Sequence, residues 1–72
     1  MPRKTIRQLR EERGWSQFEL ATKLGVTPSS VYNWESGRFE PRASQFRQLA
    51  TVFGVSMDDI ELPEPQTGKL AA

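Results

Sequence analysis

Only Gly25, Val26 and Thr27 separate two segments that each carry their own helix start and helix stop. So short a connection sets two helices at a steep angle, and a tight turn containing glycine is the mark of a helix-turn-helix unit. The first segment opens with Ser16 followed three residues later by Glu19. That is a capping box, in which the hydroxyl accepts from the third amide and the carboxylate reaches back to the cap. The second opens with Thr27-Pro28, a capping threonine and a proline at the first helical position, where its missing N–H costs nothing. Gly25 and Gly37 close the two segments, since glycine enters the left-handed conformation without a Cβ penalty.

The same punctuation runs along the rest of the chain. Thr5 with Gln8 forms another capping box, Ser56 with Asp59 a weaker variant, and Gly14 and Gly54 fall where helices should stop. These signals predict five helices over 5–13, 16–24, 28–36, 42–53 and 56–61. Apolar residues keep to one face of each: Ile6 and Leu9; Leu20, Ala21 and Leu24; Val31 and Trp34; Phe46, Leu49, Ala50 and Phe53; Met57 and Ile60. No stretch of useful length alternates with period two, so an all-α domain without strands is expected over 1–62. Residues 63–72 carry two prolines and no periodicity, and are expected to form a loose tail. Its last four residues, Lys69-Leu70-Ala71-Ala72, look like a translated cloning scar.

At 72 residues the chain is near the lower limit for a domain that folds without a staple. It has no cysteine, hence no disulfide or thiolate metal site, and a cytoplasmic location is the expectation. It has no histidine either, which removes the commonest metal ligand and the commonest general acid–base group. No enzyme activity, cofactor, metal, membrane span or small-molecule ligand is expected. The net charge of +1 is unevenly spread. Residues 1–13 carry +3, residues 14–42 balance, residues 43–72 carry −2, and no acidic residue lies between Glu19 and Glu35. A polyanion bound on one side suits this pattern, and so does a solvated surface of uneven charge.

The run Ser16-Gln17-x-x-Leu20-Ala21-x-x-Leu24-Gly25-Val26-x-x-x-x-Val31-x-x-Trp34-Glu35-x-Gly37 resembles the Cro- and Xre-type helix-turn-helix family of bacterial and phage regulators. The resemblance continues through Arg38-x-x-Pro41, Phe46, Leu49-Ala50 and Phe53-Gly54-Val55-Ser56, so it covers residues 5–61. It implies a compact five-helix, lambda-repressor-like domain of bacterial or phage origin that binds double-stranded DNA. In such domains the helix after the turn lies in the major groove and its N-terminal residues reach base edges. With Val31 and Trp34 inward, the 100° step puts Ser29, Asn33 and Ser36 on the opposite side, with Tyr32 flanking them. By the resemblance, Ser29 and Asn33 become base readers, Tyr32 a reader or backbone contact, and Ser30 and Ser36 phosphate contacts. Pro28 departs from the family's polar residue at that position; any base contact there is apolar, toward a thymine methyl.

Gln17, at the start of its helix, is expected to clamp a phosphate, where free amides and the helix dipole favour an anion. The resemblance pairs Arg10 with Glu35 in a partly buried ion pair that fixes the recognition helix and leaves an Arg10 nitrogen for phosphate. Arg38, Arg42, Arg3 and Lys4 are further phosphate candidates, Arg42 being a poor cap for its helix. Trp15, Phe18, Phe39 and Phe53 are expected to be packing residues, because they are scattered over different elements. The function expected is a transcriptional regulator, a repressor, bound as a homodimer to a palindromic operator, with Met57, Ile60 and Leu62 as the pairing surface. The alternative is an interaction module of the same fold, an antitoxin or a coactivator-like bridge.

Overall fold

A computed structural model describes residues 3–63. A short strand β1 (Lys4–Thr5) leads into α1 (Ile6–Glu12), followed by α2 (Gln17–Leu24), α3 (Pro28–Ser36) and α4 (Ala43–Phe53). One turn of 3-10 helix (Met57–Asp59) and a second strand β2 (Ile60–Glu61) complete it. The residues expected to form the tail lie outside the described residues from 64 on, and so does the four-residue ending.

Cap chemistry sets the helix boundaries. The Thr5 hydroxyl accepts from the Gln8 amide at 3.1 Å while Gln8 Oε1 accepts from the Thr5 amide at 2.9 Å. Ser16 and Glu19 make the same reciprocal pair at the start of α2, at 3.0 and 2.8 Å. Thr27 accepts from the Ser30 amide, and Pro28 occupies the first position of α3. Gly25, at φ 73°, ends α2 and turns the chain into α3. α4 starts less well. Arg42 has no side-chain acceptor, so only Gln45 reaches back, to the Arg42 amide at 2.9 Å.

The core sits where α1, α2, α3 and α4 converge. Leu20, Val31 and Leu49 are fully enclosed, with Ile6, Phe53 and Ile60 almost so. A second packing cluster locks the corner between α1 and α2 onto the end of α4. Trp15 stacks on Phe53 with ring centres 5.9 Å apart, the Arg13 guanidinium lies 5.1 Å from the Phe53 ring, and Lys23 Nζ lies 4.6 Å from the Trp15 ring. Such cation–aromatic contacts favour the positive group over the negative ring face.

Four expectations are corrected. Among the described residues there are four α-helices, not five: Ser56 caps only a single 3-10 turn, too short to propagate as an α-helix. The chain then extends, and two strands form where none was expected, pairing in parallel with Lys4 opposite Ile60 and Thr5 opposite Glu61. Two residues per strand are too few to show alternation. Ile60, proposed as a pairing residue, is 2% exposed and belongs to the core, while Met57 and Leu62 pack against that core half-buried. Phe18 and Phe39 are not packing residues; they are 67% and 62% exposed. Trp15 and Phe53 do pack.

Candidate nucleic-acid interface

α3 presents two different faces. Val31 and Trp34 are buried against α2 and the core, which fixes the helix about its own axis. Pro28, Ser29 and Tyr32 are exposed on the other side, with Asn33 half-buried beside them. Among the described residues, the side chains of Ser29, Tyr32 and Asn33 make no hydrogen bond within the fold. Their donors and acceptors are open to an outside partner. Ser30 is more engaged, its hydroxyl 3.0 Å from that of Thr27. Ser36 donates to the Asn33 carbonyl at 3.2 Å.

Beside α3 lies a cleft of about 420 Å³ lined by Arg7, Arg10, Gln17, Tyr32, Glu35 and Ser36. Its floor is a charged network. Arg10 grips Glu35 with two nitrogens, Nε to Oε2 at 2.7 Å and Nη2 to Oε1 at 3.3 Å. Its third nitrogen, Nη1, donates to the Trp15 carbonyl at 2.8 Å, so α1, the start of α2 and α3 are tied at one point. Both side chains are largely withdrawn from water, 12% and 5% exposed. The hydrogen bonds that Arg10 donates to Glu35 raise the Arg10 pKa above its ordinary value; burial opposes that shift, and the Glu35 and Glu11 charges reinforce it. Gln17 joins the network by donating from Nε2 to Glu35 Oε1 at 3.0 Å. One amide hydrogen and the carbonyl oxygen of Gln17 remain for an anion or a neighbouring group.

The ion pair expected between Arg10 and Glu35 is therefore present, and Gln17 is part of it. Arg10 reaches the interface through Glu35 and Gln17, with each of its nitrogens already donating inside the fold. Arg7 is a cleft residue that the sequence reading missed. It sits one turn before Arg10 on α1, 67% exposed, and pairs loosely with Glu11 at 3.2 Å. The three-residue spacing to Arg10 was the signal that could have found it.

The other cations divide into two groups. Arg38 and Arg42 are exposed in the segment that follows α3, and among the described residues neither forms an ion pair. Arg3 and Lys4 are not brought to α3. Lys4 is paired with Glu12, and Arg3 lines a separate cleft with Met57, Asp58 and Glu61. No helix among the described residues is long and apolar enough to cross a membrane.

Comparison with known proteins agrees with this geometry. A family model described as helix-turn-helix matches residues 6–60. A multi-protein-binding factor 1 of Yarrowia lipolytica is 37% identical over 68 residues, covering 92% of this chain and 45% of its own length. A multiprotein-bridging factor 1 of Candida albicans is 33% identical over 66 residues, covering 92% of this chain and 44% of its own. An uncharacterized HTH-type transcriptional regulator of Archaeoglobus fulgidus is 33% identical over 58 residues, covering 81% of this chain and 83% of its own. The chain thus spans less than half the length of the two yeast proteins. Relatives in yeasts and an archaeon leave the expected bacterial or phage origin unsupported.

Proposed function

The chain belongs to the Cro- and Xre-type helix-turn-helix family, and from that premise we propose that it is a sequence-specific DNA-binding transcriptional regulator, a repressor. The observation that carries this reading is the outward face of α3. Ser29, Tyr32 and Asn33 offer polar groups that the fold leaves open, on a helix whose orientation Trp34 and the Arg10–Glu35–Gln17 network hold fixed. A helix of this kind fits the B-DNA major groove, about 12 Å wide. Ser29 and Asn33 read base edges, Tyr32 reads or braces, and Pro28 lies against a thymine methyl. Gln17, Ser30, Ser36, Arg38 and Arg42 hold phosphates, and Arg7 joins them from the cleft. Such contacts set register without reading sequence. One small domain touches little DNA, so two copies bind a palindrome as a homodimer.

Selection from randomised duplexes tests this directly. An enriched palindrome is the expected outcome, and a pool that never departs from random sequence would sink the proposal. A second reading has one specific observation in its favour, the bridging and protein-binding names of the yeast relatives. A coactivator-like bridge would give no enriched palindrome, and its contacts would lie off the α3 face.

A further inference from the structure

Three of the four helix ends marked by a left-handed glycine follow one local rule, and the end of α3 breaks it. After Gly14, Gly25 and Gly54 comes an apolar residue, Trp15, Val26 or Val55, that folds back and packs against the core. This is the usual companion of a glycine cap. After Gly37 comes Arg38, and the aromatic residue is displaced one position to Phe39. The backbone there is as regular as at the other ends: the amides of Arg38 and Phe39 both donate to the Asn33 carbonyl, at 3.0 and 3.3 Å. Loose chain therefore does not explain why Phe39 is 62% exposed. An anchored backbone holds an aromatic ring in water at the exit of the recognition helix.

Its neighbours indicate what covers it. Arg38 precedes the ring and Arg42 follows it, with Glu40 the one carboxylate between Gly37 and Ala43. A nucleic-acid strand alternates anionic phosphates with the apolar faces of its sugars, which matches a cation beside a phenyl ring. A second copy of this chain would instead bring the arginines of both copies together around the two rings. We propose that Arg38 and Phe39 grip the DNA backbone as a unit, Arg38 on a phosphate and the Phe39 ring against the adjoining deoxyribose. This rests on the DNA-binding reading above and adds to it an apolar, uncharged backbone contact.

Because the contact carries no sequence information, a short mixed-sequence duplex at low salt is a sufficient probe. Phe39→Ala is expected to weaken binding to it by about five- to tenfold, the loss of roughly half a phenyl ring's burial. The slope of log affinity against log salt should not change, since no charge is lost, and Phe39→Leu should recover most of the affinity. Arg38→Ala should make the same slope shallower by about 0.9. The melting temperature of Phe39→Ala should match the wild type. The proposal is overturned if the wild type binds the duplex and Phe39→Ala binds equally well, or if Phe39→Ala instead melts earlier. A change in sedimentation without a change in affinity would also overturn it, assigning the ring to a second copy. Failure of the wild-type protein to bind any duplex would remove the DNA reading itself, a result distinguishable from all of these.

Discussion

Asn33 and Glu35 are separated by a single residue of α3, yet substituting them tests recognition and stability separately. An asparagine side chain can pair with adenine N6 and N7 at once, whereas the Ser29 hydroxyl donates or accepts and discriminates less. Asn33→Ala should therefore cost about 1–3 kcal/mol at the selected operator and relax preference at one position per half-site. Titrating mutant and wild type against every single-base variant of the operator measures this. A uniform loss across all duplexes would show that Asn33 is no base reader. Glu35→Ala acts on the fold instead. It strands the Arg10 guanidinium, a side chain largely withdrawn from water, and takes the acceptor from Gln17. Breaking a partly buried pair from one side leaves a poorly compensated charge, and here the cost should be about 1–3 kcal/mol in chemical denaturation. The pH dependence has a definite sign. A guanidinium whose pKa is raised on folding contributes its stability fully below its unfolded pKa, which already lies far above neutral. Melting should thus show no Arg10 titration between neutral and mildly alkaline pH.

At the level of elements, α4 shows a compromise between stability and charge. Its Ncap is Arg42, which offers no acceptor to the first amides of the helix. Arg42→Ser should supply one and stabilise the domain by about 0.5–1 kcal/mol, readable as a higher melting temperature. The same change removes a cation beside the recognition helix, so the salt slope of DNA binding should fall by about 0.9. A mutant that melts higher and binds with an unchanged slope would remove Arg42 from the phosphate contacts. The starts and stops of α1 to α4 are legible in the sequence because caps are local chemistry: Thr5, Ser16, Thr27 and the glycines act within one turn of themselves. Residues 56–61 are not legible in that way. Whether they continue as helix depends on Lys4 and Thr5, distant in sequence, which pair with Ile60 and Glu61 and draw the chain into a strand. The exposure of Phe18 and Phe39 is equally non-local, since an aromatic ring reads as core until its neighbours are placed. Of the site, the outward residues of α3 follow from periodicity alone. The Arg10–Glu35 pair joins residues on two helices, and only the family resemblance made it visible.

For the whole molecule, the dimensions of the domain make it measurable whether one copy acts alone or two act together. It spans 36 × 30 × 21 Å, comparable in its long dimension to one turn of B-DNA, about 34 Å. Two copies on adjacent half-sites would sit side by side on one face of the duplex. Met57 and Leu62, half-buried near the paired strands, are what remains of the expected pairing surface once Ile60 is assigned to the core. If two copies bind jointly, their relative phase around the helix matters. Lengthening the spacer of the selected palindrome by half a turn, roughly 5 base pairs, rotates one half-site to the opposite face and should abolish cooperative binding. Lengthening it by a full turn should restore part of it if the pairing surface can reach. Mobility-shift titrations would then show one cooperative step on the original palindrome and two independent steps on the half-turn variant. A domain that meets DNA as a single copy predicts otherwise: equal affinity for every spacer, and for an isolated half-site. That result would retain α3 as a DNA-reading helix while removing the homodimer, and it would make an outside protein the partner to look for.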